Sequence, residues 1–188
     1  MSAAVFLDRD GTIVDERGYL TPAARLSVYP WSIDAIRLLK RAGFAVVVVT
    51  NQGGIARGLL TCDFVEQTHR KLADQFAAGG AVVDAWYYCP HHTSAVVERF
   101  SAPCECRKPK IGMMTEAART LGLDLGQSWV VGDQWGDIRM AHAAGAASIL
   151  VRTGHGRAQE AARPPEVAAP TTVCDNLIAA AAWILMGG

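Results

Sequence analysis

The chain has 188 residues, of which 51% are hydrophobic and 19% charged, a balance that is typical of a globular protein and excludes a disordered one. Its 18 basic and 18 acidic side chains give a formal net charge of +0, so it lacks the basic surplus of a nucleic-acid-binding protein. We therefore expect one domain over residues 1–188, in which local groups rather than a global field bind any anionic ligand.

The beginning of the chain and its five cysteines indicate a compartment. Residues 1–7 contain no basic segment and run directly into Asp8, so they do not resemble a signal peptide. The best candidate for a membrane span, residues 179–186, is too short. We expect a cytoplasmic monomer that binds a small molecule and has no nucleic-acid or membrane partner. Because thiols stay reduced in the cytoplasm, the cysteines are interpreted as thiols or metal ligands.

Short apolar runs alternate along the chain with longer helical patterns. The predicted strands share continuous apolar character and lie at residues 3–7, 45–50, 85–89, 129–132 and 147–151. The predicted helices share apolar residues at helical spacing and lie at residues 32–42, 63–78 (with Thr61 or Asp63 as its cap), 113–121, 136–144 and 175–186. This alternation predicts an α/β fold with three layers, a parallel sheet covered by helices on both faces. Residues 163–165, which include two prolines, are predicted to be a surface loop.

Polar side chains stand at the ends of three predicted strands. Asp8 ends the first strand and Asp10 follows two residues later, while Thr50 and Asp133 end two others. Parallel α/β sheets bind their ligands beyond the carboxyl ends of the strands, so we expect these side chains to meet. Residues two apart in an extended segment point the same way, so Asp8 and Asp10 can face one oxygen-rich site suited to Mg²⁺. The alternative for Asp8 and Asp10 alone is an acidic turn.

Other polar residues allow more than one interpretation. Asp137 is either a carboxylate behind the metal or an acidic residue in the first turn of a helix. Lys108 is either an exposed lysine or a cation of the site, and its position between the cysteines and the strand ending at Asp133 favours the second. His69 and His142 fall in predicted helices, and we expect both to be ordinary, partly exposed histidines.

Cysteines and histidines between residues 89 and 106 have the spacing of a structural zinc site. The candidate ligands offer sulfur or imidazole nitrogen and are Cys89, His91, His92, Cys104 and Cys106. Three cysteines and one histidine form closed tetrahedral zinc sites, but the residues alone leave His91 and His92 both open as the fourth ligand. Unrelated buried thiols are the alternative. Zinc would hold the loop of residues 93–103, which has few apolar anchors, and direct the two residues after Cys106 toward the site formed by Asp8 and Asp10.

Four segments resemble, in order and spacing, the motifs of the haloacid dehalogenase superfamily, and the resemblance covers most of the chain. They are Asp8-Arg9-Asp10-Gly11-Thr12, Thr50-Asn51, Lys108, and Gly132-Asp133 with Asp137. The resemblance implies that Asp8 attacks phosphorus to form an aspartyl-phosphate, while Asp10 protonates the leaving group and then activates water. It also implies Mg²⁺ held by Asp8, the Asp10 carbonyl and Asp133. Thr50 and Lys108 would donate to the phosphoryl oxygens.

The long loop between the two pairs of candidate zinc ligands narrows the resemblance to a smaller group of phosphatases. Residues 50–58, 89–92 and 104–109 resemble the bacterial D-glycero-D-manno-heptose bisphosphate 7-phosphatases, whereas histidinol-phosphate phosphatases have a shorter loop. The resemblance implies that the chain removes the 7-phosphate of the heptose 1,7-bisphosphate. This reaction would belong to the supply of ADP- or GDP-heptose for the lipopolysaccharide core. The resemblance also implies a domain without a large cap. The implied zinc ligands are Cys89, His91, Cys104 and Cys106. The implied substrate contacts are Glu16, Arg17, Gly18, Tyr19, Thr50, Asn51, Gln52, Gly53, Arg107 and Lys108.

Two residues depart from the pattern of these phosphatases. Gln134 stands where they usually have lysine, and Gly53 where they usually have serine. Losing a cation beside the metal would weaken phosphate binding or change the preferred sugar. One alternative is therefore a phosphatase for histidinol phosphate or another small monoester. A second, of another class, is a zinc-stabilised binding protein without turnover, against which the intact set of polar residues argues.

Overall fold

The computed structural model describes residues 2–15 and 27–188. Within these residues six parallel strands form one sheet. They are β1 (Ala4–Leu7), β2 (Ala45–Asn51), β3 (Ala85–Cys89), β4 (Trp129–Gly132), β5 (Ala147–Val151) and β6 (Thr172–Cys174). The sheet order is β3-β2-β1-β4-β5-β6, so the chain builds outward from β1 first on one side and then on the other. This reversal makes the carboxyl ends of β1 and β4 the switch point of the sheet.

Helices cover both faces of this sheet. They are α1 (Ser32–Arg41), α2 (Cys62–Ala78), α3 (Gly112–Leu121), α4 (Trp135–Ala144), α5 (Gly156–Ala161) and α6 (Leu177–Leu185). Alternate residues of β1 point to opposite faces: Val5 and Leu7 pack in the core formed with α1, α2 and α6, and Phe6 in the core formed with α3 and α4. The predicted three-layer parallel architecture is confirmed. Over the residues described, no helix is long and apolar enough to cross a membrane.

One β-strand and one α-helix of the described residues were not predicted. β6 has three residues and pairs with β5 at the sheet edge, and three residues are too few to show a strand pattern. α5 has six residues and one buried position, Gly156, so it has no apolar stripe to reveal it. At α2, where two caps were open, the Thr61 hydroxyl accepts a hydrogen bond from Phe64 N at 3.1 Å. α6 begins at Leu177, later than predicted, and Asn176 caps it.

Candidate active site

The carboxyl ends of β1, β2 and β4 bring the predicted polar groups to one edge of the sheet. β1 pairs with both β2 and β4, so Asp8 lies between Thr50 and Asp133. Asp8 N continues the ladder by donating to Val131 O at 2.9 Å. The three polar residues are at most 5% exposed, although burying polar groups is costly unless they are paired. Their concentration at the switch point marks this edge as the candidate active site.

Lys108 places a positive charge directly beside Asp8. Its Nζ lies 2.7 Å from Asp8 Oδ1 and 2.6 Å from Asp137 Oδ1, and it donates to the Val49 carbonyl at 3.1 Å. The backbone of Lys108 is fixed by Asn51, whose side-chain amide donates to Lys108 O and accepts from Lys108 N. The ammonium is therefore held between two buried carboxylates. The interpretation of Lys108 as a cation of the site agrees with this geometry.

Burial dominates the proton affinities of the carboxylates. Removal from water, strengthened by the charge of Asp137 and opposed by Lys108, raises the pKa of Asp8 to about 7. Burial and the neighbouring charge of Asp8 raise the pKa of Asp133 to about 8. For Lys108, burial disfavours the ammonium, but Asp137 and Asp8 outweigh it and raise the pKa above its ordinary value. At neutral pH Lys108 thus stays positively charged. A further positive charge would favour the ionised forms of Asp8 and Asp133.

The carboxylate cluster has the donors of a Mg²⁺ site. Oxygens of Asp8, Asp133 and Asp137 lie within 4.8 Å of one another. Asp133 Oδ2 accepts from His155 N at 2.7 Å, whereas Asp133 Oδ1 is buried without a hydrogen-bond partner. A buried anionic oxygen left unpaired in this way fits a hard cation. Asp137 Oδ1 also lacks a hydrogen bond of good geometry, but it forms a close ion pair with Lys108 Nζ at 2.6 Å, and Oδ2 accepts from Gln134 N at 3.2 Å, so we assign Asp137 to holding the lysine rather than to the metal.

Two glycines leave room around Asp133. A Cβ added to Gly11 or to Gly154 would lie 2.2 Å from Asp133 Oδ2, which is too close for any other residue. Both glycines also have positive φ angles, +81° and +55°, a backbone conformation that glycine adopts without a steric penalty. Thr153 links the two turns by donating its hydroxyl to Gly11 O at 2.6 Å. The turn before α5 is therefore part of the candidate site.

Asp10 lies at the rim, with its carboxylate held from two sides. Arg9 donates from Nη2 to both Asp10 oxygens at 2.9 and 3.0 Å, and from Nε to Oδ1 at 3.1 Å. Gln52 donates from Nε2 to Asp10 Oδ2 at 2.8 Å and to Thr50 Oγ1 at the same distance. The Asp10 side chain keeps 21% of its surface exposed. Asp10 can therefore contact the same ligand as the more deeply buried Asp8.

A cavity of about 190 Å³ opens over these residues. Its walls combine predicted site residues with others, namely Asp8, Asp10, Thr50, Asn51, Arg107, Lys108, Gln134, Gly136 and Asp137. A groove of about 410 Å³, formed partly by His92, adjoins it and shares Arg107 and Lys108. Gly53 is buried against this wall, and a Cβ there would lie 3.1 Å from His92. The predicted contacts Glu16, Arg17, Gly18 and Tyr19 lie outside the residues that the structure describes.

The predicted zinc ligands come together beside this cavity. Ligand atoms of Cys89, His91, Cys104 and Cys106 lie within 4.8 Å of one another. Cys89 Sγ is 2.9 Å from Cys106 Sγ and 3.7 Å from His91 Nδ1. His92 faces away from the cluster, with Nε2 2.9 Å from Arg57 Nη2. The geometry therefore separates the two histidines that the residues alone left open, and three sulfurs with one imidazole nitrogen suit zinc.

Sequence reasoning missed two buried residues behind Asp10. His69 is 6% exposed, so its interpretation as an ordinary, partly exposed histidine is wrong. It lies against Arg9, which is 1% exposed and is among the largest fully buried side chains of the described chain. The helical pattern of α2 could have revealed His69, because it stands three and seven residues from the core positions Leu72 and Phe76. No local signal indicated that Arg9 points inward.

Comparisons with known proteins agree with this fold and site. A family model described as HAD-hydrolase-like matches residues 105–180. A crystal structure of D,D-heptose 1,7-bisphosphate phosphatase from B. bronchiseptica, complexed with magnesium and phosphate, superposes with a TM-score of 0.86. It is 35% identical in sequence, and the match covers 100% of both chains. The fold and the site thus define a hydrolase of the HAD-like class.

Curated relatives narrow this class. D-glycero-beta-D-manno-heptose-1,7-bisphosphate 7-phosphatase of Yersinia pestis is 44% identical over 156 residues, and the match covers 80% of this chain and 81% of that protein. The enzyme of the same name from Escherichia coli K12 is 44% identical over 152 residues, with 80% of each chain covered. The chain belongs to the D-glycero-beta-D-manno-heptose-1,7-bisphosphate 7-phosphatase family and is a phosphoric monoester hydrolase.

Stabilisation by Mg²⁺ is expected to increase with pH. In the folded state the pKa values of Asp8 and Asp133 are raised to about 7 and about 8. Without metal, these groups therefore favour folding most at a pH below their ordinary pKa. That contribution to stability is lost as the pH rises through the raised values. Mg²⁺ at this site would bind only the ionised carboxylates, so the rise in melting temperature on adding Mg²⁺ should be small near pH 5 and several degrees near pH 8. Thermal unfolding with and without Mg²⁺ at each pH measures this. Asp133→Asn should abolish the increase; an equal increase at every pH would contradict the prediction.

Proposed function

We propose that the chain removes the 7-phosphate of D-glycero-D-manno-heptose 1,7-bisphosphate, in a Mg²⁺-dependent reaction with Asp8 as nucleophile. The observation that carries the proposal is the buried Asp8 carboxylate, 2.7 Å from Lys108 Nζ, in a cavity that also contains Asp10. Membership of the family supports the substrate, and the relatives are named for the beta anomer. We further propose that residues 1–188 act as one domain, with no large cap over the cavity.

The proposed reaction divides the work between two carboxylates. An oxygen of Asp8 attacks phosphorus, the ester bond to the sugar oxygen breaks, and Asp10 gives that oxygen a proton. Asp10, now a carboxylate, takes a proton from the water that attacks the phosphoryl group on Asp8, which releases phosphate and restores the Asp8 carboxylate and the protonated Asp10. Mg²⁺, held by Asp8, the Asp10 carbonyl and Asp133, would reduce repulsion between the anionic nucleophile and the anionic ester. Thr50 and Lys108 donate to the phosphoryl oxygens, on which negative charge accumulates.

The second phosphate of the substrate is proposed to lie near Arg107. This side chain lines both the cavity and the adjoining groove, and it is held by a hydrogen bond from Nη1 to His91 O at 3.0 Å. The same end of the substrate would be contacted by Asn51, Gln52 and Gly53. Residues 16–19 are also proposed to contact the substrate. Gln134 offers an uncharged amide at the rim of the cavity, where these phosphatases usually have lysine.

A comparison of phosphate esters tests this function. Phosphate release should be measured with Mg²⁺ from the beta and alpha anomers of the heptose 1,7-bisphosphate, from histidinol phosphate and from 4-nitrophenyl phosphate. The expected result is the highest kcat/KM for a heptose bisphosphate. A preference for histidinol phosphate would replace the proposed substrate and leave the phosphatase chemistry intact. Absence of Mg²⁺-dependent release from every ester would instead indicate a binding protein without turnover.

We also propose that Zn²⁺ binds Cys89, His91, Cys104 and Cys106 as a structural ion. The cluster offers three sulfurs and one imidazole nitrogen, enough for a closed site, and Arg107 directly follows its last ligand, Cys106. Binding would therefore hold Arg107 at the cavity wall.

Loss of a zinc ligand is expected to lower both metal content and stability. The purified protein should contain about one Zn²⁺ per chain by elemental analysis, and Cys106→Ser should lose most of it together with several kcal/mol of stability. Cys62→Ser, which changes a cysteine outside the cluster, should retain the zinc. If Cys106→Ser bound zinc as tightly as the parent chain, the proposed site would be wrong.

A further inference from the structure

Two buried residues have no part in the reaction described above. Arg9 is 1% exposed and His69 is 6% exposed, and both lie behind Asp10. A buried guanidinium carries five N–H donors, each of which needs an acceptor. The contacts of Arg9 therefore indicate what its burial achieves.

Most of the Arg9 donors are directed at one carboxylate. Nε and Nη2 make three contacts of 2.9 to 3.1 Å with the two oxygens of Asp10, which fixes the plane as well as the position of that carboxylate. Gln52 holds Asp10 Oδ2 from the other side at 2.8 Å. The remaining amino group of the guanidinium, Nη1, points away from Asp10 and has its partner on another element.

His69 is the group that holds the guanidinium from behind. Its Nε2 lies 3.2 Å from Arg9 Nη1. The imidazole stacks on Trp86 with ring centroids 4.9 Å apart and meets the Tyr88 ring edge-on at 5.9 Å, so its direction is fixed by β3. Burial and the adjacent charge of Arg9 lower the pKa of His69 to about 3, so the ring is neutral and Nε2 can accept a hydrogen bond when the proton is on Nδ1.

We infer that Arg9 and His69 are positioning residues that orient the Asp10 carboxylate for proton transfer, with His69 fixing Arg9 and Arg9 fixing Asp10. The inference rests on the proposed function, because it needs Asp10 to be the acid and base of the reaction. It adds to that function a chain of contacts from the edge strand β3 through α2 to the rim of the cavity. Without the His69 acceptor, Arg9 Nη1 loses a buried partner, and the guanidinium would turn toward other acceptors and release Asp10.

Replacement of His69 tests this inference. His69→Leu keeps an apolar side chain against Trp86 but removes the acceptor, whereas His69→Gln offers an amide oxygen at similar reach. In His69→Leu, kcat is expected to fall about 10- to 100-fold, as for a misplaced acid–base group, with KM changed less than about threefold. His69→Gln should retain kcat within about fivefold of the parent enzyme. Equal losses in both folded variants, or an unchanged kcat in His69→Leu, would overturn the inference.

Chemical rescue provides a second route if His69→Leu does not fold. His69 also lines a surface groove of about 410 Å³ between α2 and β3, so His69→Ala opens a cavity that a small molecule can enter. Added imidazole should restore kcat in His69→Ala by at least about fivefold, with a greater effect above pH 7, where imidazole is neutral. The parent enzyme should not respond. Absence of rescue in the folded variant would count against the inference.

Failure of the substrate assignment and failure of this inference can be told apart. All variants are compared on whichever ester the parent chain hydrolyses, so a different preferred substrate leaves the effects of His69 measurable. A parent chain that hydrolyses no ester would overturn the proposed function and this inference together.

Discussion

Asp8→Asn is expected to lower kcat more than about 10⁴-fold, because asparagine has no anionic oxygen to attack phosphorus. The fold should tolerate the change. Asparagine matches aspartate in shape and keeps an oxygen for Lys108 Nζ, and burial already makes the ionised form of Asp8 unfavourable. Phosphate release and thermal unfolding, measured on the same preparation, separate lost chemistry from lost structure.

Asp175→Asn is a matched control for this change. Asp175 also directly follows a parallel strand, β6, but it is exposed and pairs with Arg152 at 2.8 Å instead of facing the cavity. Its substitution should leave kcat within about twofold of the parent value, as expected for a surface ion pair. If Asp8→Asn kept more than about a tenth of the parent activity, another group would have to be the nucleophile.

Lys108→Met is expected to affect both activity and stability. Turnover should fall about 10²- to 10³-fold, because a donor to the phosphoryl oxygens is lost. Without metal near neutral pH, the free energy of unfolding should fall by about 3–5 kcal/mol, because Asp8 and Asp137 lose the cation buried between them. The loss should be smaller near pH 5, where Asp8, whose pKa is raised to about 7, can take up a proton instead. Denaturant unfolding at both pH values measures this difference.

Lys110→Met tests whether any lysine of this segment has such an effect. Lys110 lies two residues away and pairs with Glu105 at 2.8 Å, but its side chain is 47% exposed. A solvated pair of this kind contributes little to stability, so Lys110→Met should be close to the parent chain in stability and kcat. Similar effects of the two substitutions would argue against a special role of Lys108.

Local sequence determined most of the architecture and the centre of the site. Continuous apolar runs specified the strands, and parallel strands bring their carboxyl ends to one edge, so Asp8, Thr50 and Asp133 could be grouped without a structure. The spacing of the cysteines likewise predicted a cluster. These inferences succeeded because each depends on periodicity or on neighbours in the chain. The three-residue β6 and six-residue α5 were missed because neither is long enough to show a period.

Tertiary contacts decided which way individual side chains point. His91 and His92 are adjacent in sequence, and only the packing of the loop directs His91 to the sulfurs and His92 to Arg57. Lys108 reaches Asp8 across 100 positions of sequence. The pairing of His69 with Arg9 spans 60 positions. No local pattern encodes such pairings, because they depend on how strands and helices pack against each other. The sequence by itself therefore located Asp8 at its strand end and singled out Lys108, while the tertiary structure decided that Lys108 contacts Asp8 and how Asp10 is supported.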